Sequence, residues 1–106
     1  MADNRRTSTR HDVSIAGKLS PTIDGKNPSD CTLVNISLGG ALVSTASKCS
    51  MGQRVHISFK VPAMEESIDV GATVRWADKN GVGLQFDGLR ARDVWALNEL
   101  FKQLPG

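Results

Sequence analysis

Apolar and polar residues alternate along much of this chain, and a period of two is typical of β-strands that bury one face. The alternation is clearest in residues 54–61 (RVHISFKV) and 67–76 (SIDVGATVRW), where every second side chain is apolar or small. Shorter alternating patterns occupy residues 13–19 and 82–86, and the apolar-rich segments 31–36 and 41–44 on either side of a glycine pair are also typical of strands. Together these segments predict six short strands between residues 13 and 86.

Turn-forming residues separate the predicted strands. Residues 20–30 contain Pro, Asp-Gly and Asn-Pro, which set or tolerate turn dihedrals and predict a loop or loose hairpin. The paired glycines Gly39 and Gly40 permit close backbone approach and predict a reversal of the chain. Asn80 and Gly81 favour a type I′ turn, so the fifth and sixth strands should pair antiparallel.

The spacing of apolar residues changes to three and four near the C-terminus, which predicts an α-helix over residues 88–104 with a cap at Asp87. A small open sheet exposes its edges, whereas a closed sheet has none. The sequence therefore predicts a mainly β fold, a six-stranded antiparallel barrel over residues 13–86 with a C-terminal helix packed on it. Trp95 lies off the main apolar stripe of the helix, so it marks either a partner surface or packing against a barrel end.

The composition fits one ordinary globular domain over residues 1–106, with 40% hydrophobic and 23% charged residues. The formal net charge of +2 is too small to favour nonspecific binding to a polyanion, so an anionic ligand is expected to be small. Arginine is concentrated at the start of the chain, at Arg5, Arg6 and Arg10. Residues 1–12 are therefore predicted to form a flexible, basic arm.

No segment has the apolar core of a secretory signal or the ~20 apolar residues needed to cross a bilayer. We therefore expect a cytoplasmic protein without membrane insertion. Cys31 and Cys49 have neither CxxC spacing nor a nearby histidine in the sequence, so no metal site is predicted. In a reducing compartment both should be free thiols.

Two short motifs carry candidate binding chemistry: Arg6-x-x-x-Arg10 in the arm and Asn-Ile-Ser-Leu-Gly-Gly over residues 35–40. Guanidinium groups bind phosphate oxygens bidentately, bind the O6 and N7 edge of guanine, and stack on bases. Asn35 adds an amide, Ser37 a hydroxyl, and Gly40 a position without Cβ where backbone N–H groups can approach a ligand. Alone, each motif is usually a solvated patch or a plain turn; together they suit a purine nucleotide.

RxxxR followed some 25 residues later by [D/N]xSxxG is the signature pair of the PilZ domain family, which this chain resembles. Residues 71–86 (GATVRWADKNGVGLQF) are similar to the last barrel hairpin of that family, so the resemblance spans nearly the whole chain. It implies a bacterial, non-enzymatic receptor of the second messenger cyclic di-GMP, without a cofactor. In the family, the arginine arm folds over the outside of the barrel, and the signal passes to a partner protein that the sequence does not identify.

The resemblance also implies the ligand contacts, which are Arg6, Arg10, Asn35, Ser37 and Gly40. In similar proteins a basic residue at the position of Arg5 accompanies two mutually intercalated cyclic di-GMP molecules, which implies two ligands per chain. Asn35 stands where many members have Asp. Its amide offers guanine one acceptor oxygen where a carboxylate offers two, so moderate affinity is expected.

Three further residues are candidate secondary contacts: His11, Gly39 and Trp76. His11 adjoins the arginine motif and either helps to hold a phosphate or, more often for a histidine at a strand entrance, has a structural role. Trp76 either stacks on a guanine at the rim of the site or, the favoured interpretation, continues the apolar face of the fifth strand as a residue of the barrel core or rim.

Two other functions compete with the receptor. A ligand-independent interaction module is disfavoured because both motifs are intact. A small barrel that binds single-stranded nucleic acid is disfavoured because the chain has three Phe, two Trp and no Tyr, most of them on apolar faces. Ser37 is not expected to be a nucleophile, since Asn35 occupies the first glycine position of G-x-S-x-G and no acid and histidine partners are evident.

Overall fold

A computed structural model describes residues 10–46 and 48–104 of the chain, which form six β-strands and one α-helix. These elements are β1 (His11–Ser20), β2 (Ser29–Ile36), β3 (Gly40–Thr45), β4 (Arg54–Phe59), β5 (Ile68–Asp78), β6 (Gly81–Phe86) and α1 (Ala91–Gln103). The strands close into a barrel in the order β1-β2-β3-β6-β5-β4, and all neighbours pair antiparallel. The predicted mainly β barrel with a C-terminal helix is confirmed.

Of the predicted arm, residues 1–12, the structure describes only residues 10–12. Residues 1–9, and with them the sequence-predicted contacts Arg5 and Arg6, lie outside the described residues. Two residues that the sequence assigned to the arm belong to the barrel, because β1 already begins at His11 and Asp12 pairs with Asn35 of β2.

The inward-facing side chains of the strands form one apolar core. On β4 the buried residues are Val55, Ile57 and Phe59, as their alternation in the sequence predicts. Burying each such side chain contributes about 1.5–3 kcal/mol relative to leaving it exposed. The core holds the strands in a fixed register, which in turn fixes the positions of the outward-facing residues.

The helix begins at Ala91, three residues later than the sequence predicts, and its cap is not Asp87. Asp87 instead accepts two hydrogen bonds from Arg54, at 3.0 Å from Nη1 to Oδ1 and 2.6 Å from Nη2 to Oδ2. A carboxylate bound by both arms of a guanidinium is no longer free to cap, and the N-cap is Arg90. No helix in the described part of the chain is long and apolar enough to cross a membrane.

The turn between β5 and β6 is not of type I′. Asp78 pairs with Gly81, leaving two residues in the turn, and among the described non-glycine residues only Asn27 has a positive φ. The Asp78 carboxylate accepts hydrogen bonds from the backbone N–H groups of Asn80 and Gly81, at 2.7 and 3.0 Å. Gly81 is needed for another reason, since a Cβ there would overlap the carbonyl oxygen of Val43 on β3.

A bulge in β5 changes the position of Trp76. Val74 pairs with Leu84, but Trp76 pairs with Gly83, so one extra residue of β5 stands between the two pairs. The alternation shifts by one position, and Trp76 is 42% exposed on the outside of the barrel. The interpretation of Trp76 as a core residue is therefore wrong.

Both cysteines are free thiols in the structure. Cys31 is buried on β2 and Cys49 is half-buried. Burial raises the pKa of the Cys31 thiol from 9.0 to about 11, because an apolar environment disfavours the thiolate. Burial also raises the pKa of Cys49.

Candidate functional site

A surface cavity of about 290 Å³ lies where the Ser37 to Gly40 turn meets β5 and β6. Five residues that the sequence singled out line this cavity together: Arg10, Ser37, Gly39, Gly40 and Trp76. The remaining lining residues are Ala41, Arg75, Gly83, Leu84 and Gln85. The fold therefore brings residues that are far apart in the sequence to one place on the outer face of the barrel.

Asn35 does not line the cavity, but it contacts the arginine that does. Arg10 Nη1 donates a hydrogen bond to Asn35 Oδ1 at 3.4 Å, which joins the two sequence motifs directly. On its other side, Asn35 Nδ2 donates to Asp12 Oδ1 at 3.1 Å. The two contacts fix the amide orientation, with the oxygen toward Arg10 and the nitrogen toward Asp12.

Ser37 builds the turn that forms part of the cavity wall. Its backbone N–H donates to the Gly40 carbonyl at 2.8 Å, and its hydroxyl contacts the same carbonyl at 3.4 Å and accepts the Gly39 N–H at 3.2 Å. Phe86 N–H donates to the Gly39 carbonyl at 2.8 Å and ties the turn to β6. Ser37 is buried, so in this structure its hydroxyl stabilises the turn.

Gly40 is explained by strand packing. A Cβ at this position would overlap the backbone carbonyl oxygen of Leu84 on β6. The sequence predicts that the missing side chain leaves room for a ligand. In the structure, the missing side chain leaves room for the neighbouring strand β6. The same close approach is what brings the turn against β6 and forms the cavity.

Trp76 also lines the cavity, and its ring lies against a glycine. A Cβ at Gly83 would overlap the Nε1, Cε2 and Cδ1 atoms of the indole, so the ring lies directly against the backbone of β6. The indole's exposed face is available for stacking on an aromatic base.

Sequence reasoning missed two polar lining residues, Arg75 and Gln85. Both are exposed and lie on the polar faces of their predicted strands, where charged and amide side chains are unremarkable. One feature of the sequence could have indicated Arg75, since it directly precedes Trp76, which the sequence analysis names as a candidate contact.

The charge of the cavity favours an anion. Its described lining contains two arginines and no carboxylate. Guanidinium groups form charge-assisted, bidentate hydrogen bonds with phosphates, and a tryptophan face beside them suits a base. The arrangement can therefore bind a small anionic molecule that carries both a phosphate and an aromatic ring.

The family comparison agrees with this geometry, since the family model described as the PilZ domain matches residues 4–103. The chain belongs to the PilZ domain family. A solved structure, the inhibitor of motility MotI/DgrA from Bacillus subtilis, matches this PilZ chain with a TM-score of 0.67 and 19% identity. The match covers 89% of this chain and 50% of that protein, so the chain spans about half its length, and at this identity the likeness concerns the fold. No curated protein matches the sequence.

His11 of this PilZ domain is placed against the C-terminal helix. Its ring stacks on Phe101 of α1, with centroids 4.0 Å apart and planes inclined by 16°. It is not among the described residues that line the cavity, and the contact observed is a structural one. A contact of His11 with ligand stays a prediction.

Proposed function

We propose that this PilZ domain is a non-enzymatic receptor for cyclic di-GMP. The observation that carries the proposal is the hydrogen bond from Arg10 to Asn35, which joins the two motifs beside a cavity free of carboxylates in its described lining. Membership of the PilZ family supports the identity of the ligand. A cyclic dinucleotide offers the phosphates and purine rings that such a site binds.

Each motif has a distinct role in the proposal. Arg6 and Arg10 bind phosphate oxygens or the Hoogsteen edge of guanine, and Asn35 binds a guanine from the barrel surface. The turn built by Ser37 and Gly40 forms the part of the cavity wall against which the ligand lies, and Trp76 stacks on a base. The segment that carries Arg6 closes over the bound molecule.

Two ligands per chain are proposed on account of Arg5. An additional arginine directly before the motif adds a third guanidinium to those of Arg6 and Arg10, which helps to balance the greater negative charge of a pair of intercalated cyclic di-GMP molecules. One cavity of about 290 Å³ is at the lower end of the ~300–1,000 Å³ of small-molecule sites, so most of a ligand pair would lie outside it, under the arm.

The signal passes to another protein in this proposal. Closure of the arm over the ligand covers the exposed residues around the cavity and presents a new surface, which a cytoplasmic partner protein recognises. The hydroxyl of Ser37, the one residue resembling a hydrolase nucleophile, is engaged by the turn backbone, in keeping with binding rather than catalysis.

Calorimetric titration with cyclic di-GMP tests the proposal. Cyclic di-AMP is the control with the same phosphate charge and a different base, and GTP is the control with the same base but no cyclic dinucleotide. We expect saturable, guanine-selective heat with a stoichiometry near two. The absence of both heat and a thermal shift up to high micromolar ligand would overturn the receptor and favour the ligand-independent interaction module.

A further inference from the structure

The bulge in β5 presents Arg75 at the cavity. In a regular strand Arg75 and Trp76 would point to opposite faces, but the register shift between Val74 and Trp76 exposes both on the outside of the barrel. Bulges of this kind redirect side chains and occur preferentially beside functional sites. Both residues line the same cavity as Arg10.

The described arginines fall into two groups according to their ion pairs. Three of the five form ion pairs with carboxylates: Arg54, Arg90 and Arg92. Within residues 10–46 and 48–104, Arg10 and Arg75 are the two without a carboxylate partner. These two line one cavity, so the unneutralised guanidinium charge of the described chain is concentrated there.

We propose that Arg75 is a ligand-binding residue that holds a phosphodiester group of the bound nucleotide from the β5 side of the cavity. The inference rests on the proposed function. A base stacked on Trp76 places its attached phosphate next to the preceding residue of β5, where the Arg75 guanidinium binds it bidentately. Arg75 belongs to neither sequence motif. Its contact makes binding depend on the negative charge of the ligand's phosphate, in addition to the contacts made by the arginine motif.

Arg75→Ala, Arg75→Lys and the control Lys79→Ala test this role in titrations with cyclic di-GMP. Lys79 is exposed in the adjacent β5–β6 turn and outside the cavity lining, so its removal matches the change in net charge. Loss of a charge-assisted contact should weaken the affinity about tenfold or more in Arg75→Ala. Arg75→Lys should fall between, because an ammonium retains the charge without the bidentate geometry.

Salt dependence distinguishes a phosphate contact from a general effect on the site. The affinity of Arg75→Ala should depend less steeply on salt concentration than that of the wild type, whereas Lys79→Ala should keep the wild-type dependence. The melting temperature of each variant without ligand should equal that of the wild type, since Arg75 has no ion-pair partner in the described chain to lose.

Three outcomes would count against the proposal in different ways. If the wild type binds cyclic di-GMP and Arg75→Ala binds within about twofold of Lys79→Ala, the role of Arg75 is refuted and the receptor function stands. If the wild type itself gives no heat, the receptor function fails and the role of Arg75 fails with it. An Arg75→Lys variant that binds as tightly as the wild type would refute the bidentate contact, because the charge alone would then suffice.

Discussion

The carboxylate of Asp12 and the side-chain amide of Asn35 form a cross-strand hydrogen bond, with 3.1 Å between Oδ1 and Nδ2. The two residues pair directly in the β1–β2 register. The bond gives a local reason for the amide at position 35, since a carboxylate there would face the carboxylate of Asp12. Like charges directly opposite each other destabilise a sheet.

Asn35→Asp is therefore expected to weaken this protein, although Asp is common at that position in the family. We expect the free energy of unfolding in urea to fall by about 0.5–1 kcal/mol at neutral pH. The double variant Asp12→Asn with Asn35→Asp should recover most of the loss, because one amide again faces one carboxylate. Equal stability of the single and double variants would remove the pairing explanation.

Arg10→Ala is expected to abolish measurable cyclic di-GMP binding while leaving the fold intact. Arg10 is exposed, and its contact with Asn35 at 3.4 Å contributes little to stability. Arg54→Ala is the matched control, because it removes a guanidinium outside the cavity that is bound to Asp87. It should keep ligand binding and lose about 0.2–1 kcal/mol of stability, measured by denaturation. If both variants changed ligand binding and stability to the same extent, the assignment of Arg10 as a ligand contact would be contradicted.

Gly40→Ala is expected to destabilise the barrel, because its Cβ would overlap the Leu84 carbonyl. Overpacking of this kind costs about 1–3 kcal/mol. The neighbouring Gly39→Ala provides the control, since a Cβ there meets only the Ser37 hydroxyl, at 4.0 Å. Its free energy of unfolding should stay within about 0.5 kcal/mol of the wild type. If alanine is tolerated at both positions, β3 and β6 can move apart without a large loss of stability.

The stability of the protein should fall in alkaline solution because of Cys31. Its pKa is raised from 9.0 to about 11 by burial, so between these pH values the unfolded thiol ionises while the folded thiol stays protonated. The stabilisation is complete below pH 9 and is lost as the pH rises toward 11, an effect of about 1–3 kcal/mol. Urea denaturation under reducing conditions should show a shallower decline for Cys31→Ala; an unchanged slope would assign the decline to other groups.

The sequence predicted the barrel well because β1, β4 and most of β5 alternate with a period of two, and turn residues separate the strands. It failed where the outcome depends on a neighbour. The bulge at Arg75 arises from the register of β5 against β6, which no pattern within β5 encodes. Asp87 is a good helix cap locally, but Arg54, 33 positions earlier, binds it instead.

The candidate site likewise contains residues that the sequence predicted and residues that it did not. The motif residues were found through a family resemblance, and the cavity groups Arg10 with the Ser37 to Gly40 turn as that resemblance implied. Asp12 and Arg75 went unnoticed because each is an ordinary polar residue on the wet face of a strand. Their importance comes from the side chains that the closed sheet places beside them.

The cavity is lined by Arg10, directly before β1, and by residues of β6, so it exists only once the last strand has joined the sheet. A chain still emerging from the ribosome presents Arg10 and the turn but has no groove between them and β6. The messenger thus has no site on an unfinished molecule. Cyclic di-GMP in the proposed function binds only complete barrels, and it shifts the balance between complete and opened molecules toward the complete ones.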